Sequence, residues 1–353
     1  MTQHRIARAA IKTLVTTALL CGLTAAGAAD HTLRAVAGSG QDHDGLVAFK
    51  NFVESRSNGA IAVELLVGTG PCTDGTECVR ALEAGSIDIH VSTPAGTADR
   101  FPQVQLLDLP YLLADDRIAE RVLSGNLVRQ LRTSILTGSD GRVRLMTIGN
   151  SGGWKHFANA ERTVRRPADM GGLKIRTVVA DLPPERVQAT GAGPTPIPWP
   201  EPFTPFRAGV AEGPGNGITD LIGTTLPQAG LTYVTLDGHA YLSALWFMNN
   251  ERFLAMPEDL RRVVVDGFDA LQQATFASHK RTSIQAHADF IASGGELYVP
   301  TPEDKEAFAR AVEPVYTWFT ESVEDGGKWL DLLQDEASKE REANAAAYEI
   351  DIN

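Results

Sequence analysis

The sequence predicts an α/β protein of two lobes, and three observations lead to this prediction. Strand-like and helix-like apolar patterns alternate near the start of the chain, and a second such set begins at residue 143. The 353 residues are enough to form two separate cores. A helical pattern of about 35 residues follows Pro257, about three times the average helix length, so we expect this helix to brace both lobes.

The first lobe is predicted to contain three strands and two helices. In chain order these are a strand over 33–37, a helix around 46–53 ended by Ser57-Asn58-Gly59, a strand over 61–65, a helix over 77–84 and a strand over 87–91. This succession indicates a largely parallel sheet. Ligands bind by default at the carboxyl ends of such strands, so we expect Gly38, Gly40, Ser92 and Thr93 near a cleft.

The second set of elements starts with a strand over 143–148. This strand is expected to end at Gly149-Asn-Ser-Gly-Gly153, a glycine-rich crossover between the lobes. Further elements are predicted at 174–178 and 183–190, in the proline-rich segment 194–200, and as an apolar strand over 245–248. The long helix ends at Gly294-Gly295, a short strand over 296–299 follows, and Thr301 caps a helix that has Pro302 at its first position.

Residues 1–28 are typical of a secretory signal peptide. Arg5, Arg8 and Lys12 precede a short apolar stretch, and small residues follow up to Ala28. The stretch is too short to span a bilayer, so we expect a soluble, exported protein cleaved near Ala28. The formal net charge of −12 becomes more negative when these basic residues are lost. Such acidity argues against nucleic acid and anionic lipid as partners.

Cys72 and Cys78 are the two cysteines that follow the signal peptide. In an oxidising compartment an isolated nearby pair favours a local disulfide, and free thiols are the alternative. A metal site is disfavoured because no histidine or further cysteine lies close by in the sequence.

Arg176 is the candidate for binding an anion. It lies in the short strand that follows Gly171-Gly172, within a cluster of basic residues in an otherwise acidic chain. A guanidinium offers a planar fork of donors that matches a carboxylate, and burying it without an anionic partner is costly. The alternative interpretation is a solvated arginine on a surface strand.

Other patterns predict no catalysis, metal or cofactor. Ser151 fits the G-x-S-x-G pattern of a hydrolase, but Gly152-Gly153 is a poor start for the helix that this motif requires. The histidines lack metal-binding spacing, and the sequence has no phosphate loop and no complete dinucleotide fingerprint. Trp154 and Trp199 are interpreted either as core aromatics or as flat walls of a cleft.

An ordered set of motifs resembles the DctP-type solute-binding proteins of tripartite ATP-independent periplasmic (TRAP) transporters. The matching segments are 57–59, 85–88, 107–111, 167–176, 191–201, 209–213 with Asn216, and 236–239. The resemblance covers nearly the whole mature chain. It implies two α/β lobes, crossing strands as a hinge, and a long helix that spans both lobes. It also implies a periplasmic protein that closes on a small organic anion, usually a carboxylate, and delivers it to a membrane permease. We expect the protein to be a monomer.

The resemblance implies particular ligand residues. Arg176 takes the place of the arginine that pairs with the ligand carboxylate, Asn216 that of a second contact to the same group, and Trp199 that of a pocket wall. A second family arginine is replaced here by Lys155, next to Trp154. The family pattern D-G-Q-E-N is replaced by Glu212-Gly-Pro-Gly-Asn216, which lacks a carboxylate at Gly215.

The expected division of the chain follows from these crossovers. Residues 29–150 and 239–285 form lobe I, and residues 151–238 and 286–353 form lobe II. Two alternatives of other classes stay open at this point: a periplasmic sensor that docks on a receptor, and a secreted serine hydrolase built around Ser151.

Overall fold

The computed structural model describes residues 29–38, 43–68, 70–72, 74–198 and 203–348. The predicted signal peptide, Gly40 and Trp199 therefore lie outside the described residues. The strands are β1 (His31–Ala37), β2 (Ile61–Val67), β3 (Ile89–Ser92), β4 (Val143–Asn159), β5 (Lys174–Thr177), β6 (Gly193–Pro196), β7 (Gly213–Gly217), β8 (Tyr233–Asn249) and β9 (Glu296–Tyr298).

The helices of the described residues surround these strands. They are α1 (His43–Arg56), α2 (Gly75–Glu83), α3 (Pro94–Thr97), α4 (Asp116–Val122), α5 (Asn126–Gly138), α6 (Leu182–Ala189), α7 (Phe203–Arg207), α8 (Ile218–Gly223), α9 (Asn250–Leu254), α10 (Glu258–Ala292), α11 (Pro302–Ala311), α12 (Glu313–Ser322) and α13 (Gly326–Tyr348). Short 3₁₀ helices cover Pro102–Asp108, Pro167–Met170 and Leu226–Ala229. Among these described helices, none is both long enough and apolar enough to cross a bilayer.

The strands hydrogen-bond side by side in the order β2-β1-β3-β8-β4-β7-β5-β6, and β9 pairs with β8. The pairs β1–β2 and β1–β3 are parallel, as are β5–β6 and β5–β7, so each half of the sheet has a parallel core. The two halves are joined by β4 and β8, which are antiparallel to each other. The two-lobed α/β fold predicted from the sequence is confirmed.

The glycine-rich segment 149–153 was predicted to end a strand, and this prediction is wrong. β4 continues through it to Asn159, and the apolar strand expected over 245–248 is likewise part of the 17-residue β8. The glycines are accommodated by a β-bulge, since the β4–β8 register shifts between Asn150 and Trp154. Gly153 lies at φ 83°, a conformation that suits glycine. The Oδ1 of Asn150 accepts from the N–H groups of Gly152 and Gly153 at 2.8 and 2.7 Å.

The long helix α10 braces both halves of the molecule, as predicted. Its first part buries Val264, Phe268 and Leu271 in a cluster with β1, β2 and α1. Its last part buries Ala286 and Phe290 in a separate cluster with β8 and α8. Between them, Gln272 Nε2 donates to the carbonyl of Ile148 on β4 at 2.8 Å, so the helix is tied to a crossing strand at mid-length.

The ends of several helices follow the predicted capping chemistry. α1 stops at Arg56, and Asn58 and Gly59 then adopt φ 50° and 82°. Thr301 caps α11 by accepting from the N–H of Asp304 at 3.2 Å, with Pro302 at the first helical position.

The packing of the last two helices bears on the division into lobes. Buried residues of α12 and α13, including Val315, Phe319 and Leu333, belong to the same cluster as α4, α5 and the 3₁₀ helix over Pro102–Asp108. These helices therefore pack on first-lobe elements, although they follow the point at which the chain was expected to enter lobe II. The exact lobe boundaries stay a prediction.

Candidate functional site

Arg176 lies in the middle of β5 and is buried, with 3% of its surface exposed. Its neighbours in register are Thr195 on β6 and Pro214 on β7, so it is at the centre of the parallel strands of the second lobe. Its Nε donates to the carbonyl of Ile197 at 2.9 Å. Burial lowers the pKa of this guanidinium to about 10, and Asp220 on α8 opposes the shift, so the group is charged at neutral pH.

Asn216 lies on β7, the strand next to β5, and Lys155 lies on β4, the strand beyond β7. Asn216 is half-buried on β7, two residues beyond the partner of Arg176, and Lys155 pairs in register with Gly217. Arg176, Asn216 and Lys155 thus lie on the adjacent strands β5, β7 and β4. The register places Asn216 on the same face of the sheet as Arg176 and Lys155 on the opposite face. Trp199 follows shortly after Ile197 in the chain, outside the described residues.

Lys155 has a buried carboxylate partner. Its ammonium forms an ion pair with Asp108 at the end of a 3₁₀ helix, and both residues are at least nine-tenths buried. Burial lowers the pKa of Lys155, and the pairing with Asp108 opposes this shift. Arg186 on α6 is also buried and donates from Nη1 to the backbone carbonyl of Asp108 at 3.4 Å. Its charge, like that of Arg176, lowers the pKa of Lys155.

A second buried carboxylate, Asp237, lies on β8, one of the two strands that join the halves of the sheet. Its Oδ2 accepts from the hydroxyl of Tyr111 at 2.8 Å and pairs with Nδ1 of His239 at 2.8 Å. Its Oδ1 accepts from the N–H of Phe157 on β4 at 3.1 Å. Burial alone would raise the pKa of Asp237, but His239, His156 and the hydroxyl of Tyr111 hold it below the usual value.

Tyr111 is held in a strained backbone conformation by this network. Its φ of 58° is uncommon for a residue other than glycine. The N–H of Tyr111 donates to the carbonyl of His239 at 2.8 Å, while the hydroxyl contacts Asp237, so both ends of the residue are fixed to β8. Together with the Lys155–Asp108 pair, this joins the segment before α4 to the crossing strands.

Trp154 is directed towards the first lobe. Its Nε1 donates to Asp116 on α4 at 2.7 Å, and its ring lies edge-on to Tyr241 with 5.2 Å between centroids. It therefore bridges β4 and α4, with a half-buried ring. Its expected contact with ligand stays a prediction.

Gly38, Ser92 and Thr93 lie at the carboxyl ends of the adjacent parallel strands β1 and β3, as predicted. Ser92 is buried against the start of α2, because a Cβ at Gly75 would lie 2.6 Å from its Oγ. Thr93 caps α3 by accepting from the N–H of Gly96 at 3.1 Å. The contact of these residues with a ligand stays a prediction.

Cys72 and Cys78 are joined by a disulfide that closes a short loop at the start of α2. Asp74, inside the loop, caps α2 by accepting from the N–H of Glu77 at 2.7 Å. The disulfide therefore fixes the end of α2 that packs on Ser92.

Ser151 lacks the setting of a catalytic nucleophile. It lies within the continuous strand β4 rather than before a helix, and its Oγ donates to the carbonyl of Leu242 at 3.3 Å. Across the described ranges, the acidic, histidine and cysteine side chains form no group that could hold a metal ion.

The sequence did not single out Asp108, Arg186 and Asp237 as site residues. Asp108 and Asp237 do lie in two of the segments that carry the family resemblance, 107–111 and 236–239. An acidic residue inside a short, otherwise apolar family motif was the feature of the sequence that could have indicated a buried carboxylate. Arg186 gave none, because an arginine in an amphipathic helix normally faces solvent.

Comparison with known proteins agrees with this architecture. The model of the bacterial extracellular solute-binding protein family 7 (DctP) matches residues 35–322. The chain is 28% identical over 298 residues to a solute-binding protein of Verminephrobacter eiseniae, covering 84% of this chain and 87% of that one. It is 24% identical over 291 residues to the 2,3-diketo-L-gulonate-binding periplasmic protein YiaO of Escherichia coli, covering 81% and 85%.

Solved structures share the fold. A TRAP periplasmic solute-binding protein from Ochrobactrum anthropi superposes with a TM-score of 0.82 at 22% identity, over 92% of this chain and 100% of that one. Another from Anaerococcus prevotii, with bound α/β-D-glucuronate, gives a TM-score of 0.78 at 21% identity, over 88% and 99%.

Proposed function

Because the chain belongs to the bacterial extracellular solute-binding protein family 7, we propose that it captures a small organic anion between its lobes for a TRAP membrane permease. The family consists of solute-binding proteins and not of enzymes, so the hydrolase alternative is rejected. The protein functions by binding its ligand and closing around it, and it catalyses no reaction.

The ligand is a carboxylate, and Arg176 is its main partner. The observation that carries this assignment is a buried, charged guanidinium in the strands of the second lobe, hydrogen-bonded through Nε to a backbone carbonyl. Because Nε is used in this way, the fork is held in one orientation, which favours bidentate pairing with a planar anion. Relatives named for 2,3-diketo-L-gulonate or found with D-glucuronate support an organic acid.

Asn216 and Trp199 complete the second-lobe side of this site, and Gly38, Ser92 and Thr93 form the first-lobe side. Trp154, which bridges β4 and α4, forms a wall between the two sides. Lys155 is near Arg176, but its ammonium already pairs with Asp108. Lys155 therefore adds positive electrostatic potential that attracts the anion, whereas Arg176 makes the direct ion pair with it.

The protein acts as a monomer in the periplasm after loss of residues 1–28. The family is extracellular, which supports export. The sensor alternative shares the ligand site and differs only in the docking partner. Binding of the ligand-loaded protein to permease subunits in detergent or nanodiscs distinguishes the two, because a sensor would bind a receptor domain instead.

A thermal-shift screen over organic acids, followed by calorimetry on Arg176→Ala, tests the proposal. We expect a carboxylate to raise the melting temperature, and the variant to lose about 2–5 kcal/mol of binding free energy because a desolvated anion loses its partner. Lys174→Ala is the matched control, since Lys174 lies on the same strand with an exposed side chain. Unchanged affinity in Arg176→Ala would contradict the assignment.

A further inference from the structure

The first turn of α2 lies directly against α3, at two glycines. A Cβ at Gly75 would lie 2.1 Å from the carbonyl oxygen of Gly96 and 2.6 Å from Oγ of Ser92. A Cβ at Gly96 would lie 2.6 Å from the same hydroxyl oxygen. These separations are too short for any side chain, so the two backbones approach as closely as only glycine allows. We call Gly75, Ser92 and Gly96 the α2–α3 contact.

The α2–α3 contact includes one of the predicted ligand residues and supports another. Ser92 is the last residue of β3 and is buried. Thr93 follows it and holds Gly96, whose N–H donates to both the side-chain oxygen and the carbonyl of Thr93 at 3.1 Å. Gly96 therefore lies between Thr93 and the first turn of α2. A displacement of that turn would loosen the packing around Ser92 and the cap at Thr93.

The Cys72–Cys78 disulfide is the covalent tie of this first turn. Asp74 caps the same turn from inside the loop that the disulfide closes. The buried apolar side chains of Val79 and Leu82 lie further along α2 and belong to the first-lobe core. A helix of nine residues is marginal by itself, so its first turn depends on the tie. Opening the disulfide would therefore release the first turn, while Val79 and Leu82 hold the rest of the helix.

We infer that the Cys72–Cys78 disulfide is a redox-sensitive lock on the α2–α3 contact, and that its reduction by a dithiol weakens capture of the anion without unfolding the lobe. One thiolate of the dithiol attacks a sulfur of the disulfide, the S–S bond breaks, and the second thiolate releases the reductant as its own disulfide. The protein gains two electrons and two protons and carries two thiols. The part of the inference that concerns affinity rests on the proposed function.

Hydrogen–deuterium exchange of the ligand-free protein, with and without dithiothreitol, tests the lock. In the oxidised protein the N–H of Cys78 donates to the carbonyl of Asp74 and that of Gly96 donates to Thr93. We expect peptides that contain Cys78 and Gly96 to exchange about 10-fold faster after reduction, because local opening exposes these amides. Exchange in α5 and β4 stays unchanged, which shows that the lobe remains folded.

Two kinds of variant separate the lock from other effects of the reductant. Cys72→Ala/Cys78→Ala exchanges fast with or without dithiothreitol, and the third cysteine of the chain lies in the predicted signal peptide. Gly75→Ala leaves the disulfide intact, but its methyl group displaces the first turn of α2, so Gly96 exchanges faster without reductant. Gly138→Ala is the matched control, since it adds a methyl group to the first-lobe helix α5 where no heavy atom lies within 4 Å. It keeps the wild-type exchange.

Calorimetry with D-glucuronate, and with the acid that gives the largest thermal shift, tests the effect on affinity. Reduced protein and Cys72→Ala/Cys78→Ala should bind about 3- to 10-fold more weakly than oxidised protein, because an edge that is ordered only on binding adds an entropic cost.

Equal exchange at Gly96 in oxidised and reduced protein overturns the lock. Faster exchange with unchanged affinity for the acid overturns the redox control of capture. If no organic acid binds to the oxidised protein, the proposed function itself fails, and the exchange result still decides whether the disulfide locks the α2–α3 contact.

Discussion

Lys155 and Arg176 are two buried cations on strands separated only by β7, and their surroundings differ. Lys155 forms an ion pair with the buried carboxylate of Asp108. Arg176 donates through Nε to a backbone carbonyl, and the carboxylate that influences its pKa belongs to the half-buried Asp220. Lys155 thus has a buried carboxylate as a direct partner, whereas the Nε of Arg176 is oriented by a backbone carbonyl. Burial alone therefore does not identify a ligand site.

The largest expected effect is on the free energy of unfolding, and it arises at Lys155 rather than at Arg176. Asp108→Ala leaves Lys155 buried without its carboxylate and should lower the free energy of unfolding by about 3–5 kcal/mol. The double variant Asp108→Leu with Lys155→Met should recover most of this loss, because a well-packed apolar pair replaces a buried ion pair at little cost. Urea denaturation measures both. A loss below about 1 kcal/mol in Asp108→Ala would mean that the pair does not balance the hinge.

The protein should also lose stability in mild acid, because His156 is buried next to Asp237. Gly238 N–H donates to Nδ1 of His156 at 3.1 Å, so that nitrogen is unprotonated, and burial lowers the pKa of the ring to about 4. Asp237 opposes this shift, while His239, His287 and Lys305 reinforce it. The unfolded chain binds the proton near pH 6.5 and the folded chain only near pH 4. Stability is therefore complete above pH 6.5 and falls by about 3 kcal/mol towards pH 4.

Unfolding free energies at a series of pH values check this prediction. His156→Gln should reduce the slope between pH 6.5 and pH 4, because one titrating ring is gone. The remaining slope belongs to other buried histidines, such as His90, whose pKa burial also lowers to about 4. An unchanged slope in that variant would assign the acid sensitivity to other groups.

The smallest effect concerns the first-lobe edge of the cleft. Reduction of the Cys72–Cys78 disulfide should cost about 2 kcal/mol or less, because the loop that it closes is short. Mass spectrometry of protein from the periplasm, before and after reduction and alkylation, establishes whether the bond forms in the cell. Two free thiols in that sample would contradict the pairing, and ligand affinity would then not depend on it.

Local patterns were sufficient for much of the fold. The alternation of β1 and β2, the length of α10 and the Thr301-Pro302 start of α11 follow from periodicity and capping, which depend on neighbours in the sequence. The continuity of β4 was missed because Gly149–Gly153 has the composition of a loop. A β-bulge and the side chain of Asn150 satisfy the backbone there, and both depend on the partner strand β8.

The site could be predicted only in part for the same reason. Arg176 stood out because it is basic in an acidic chain and lies in a family motif. The partner of Lys155, Asp108, comes from a segment far away in sequence, so no local pattern pairs them.

Small-angle X-ray scattering, with and without the tightest acid from the thermal-shift screen, tests most directly whether the protein captures its ligand by closing. We expect the hinge where β4 and β8 cross near Gly149–Gly153 and Leu236–Tyr241, and we expect α10 to pivot rather than melt. Ligand that contacts both lobes binds the closed state better and shifts the population towards it. The account predicts a smaller radius of gyration with ligand, and no change for Arg176→Ala at the same concentration. An identical radius and distance distribution in wild-type protein, with ligand bound, would contradict it.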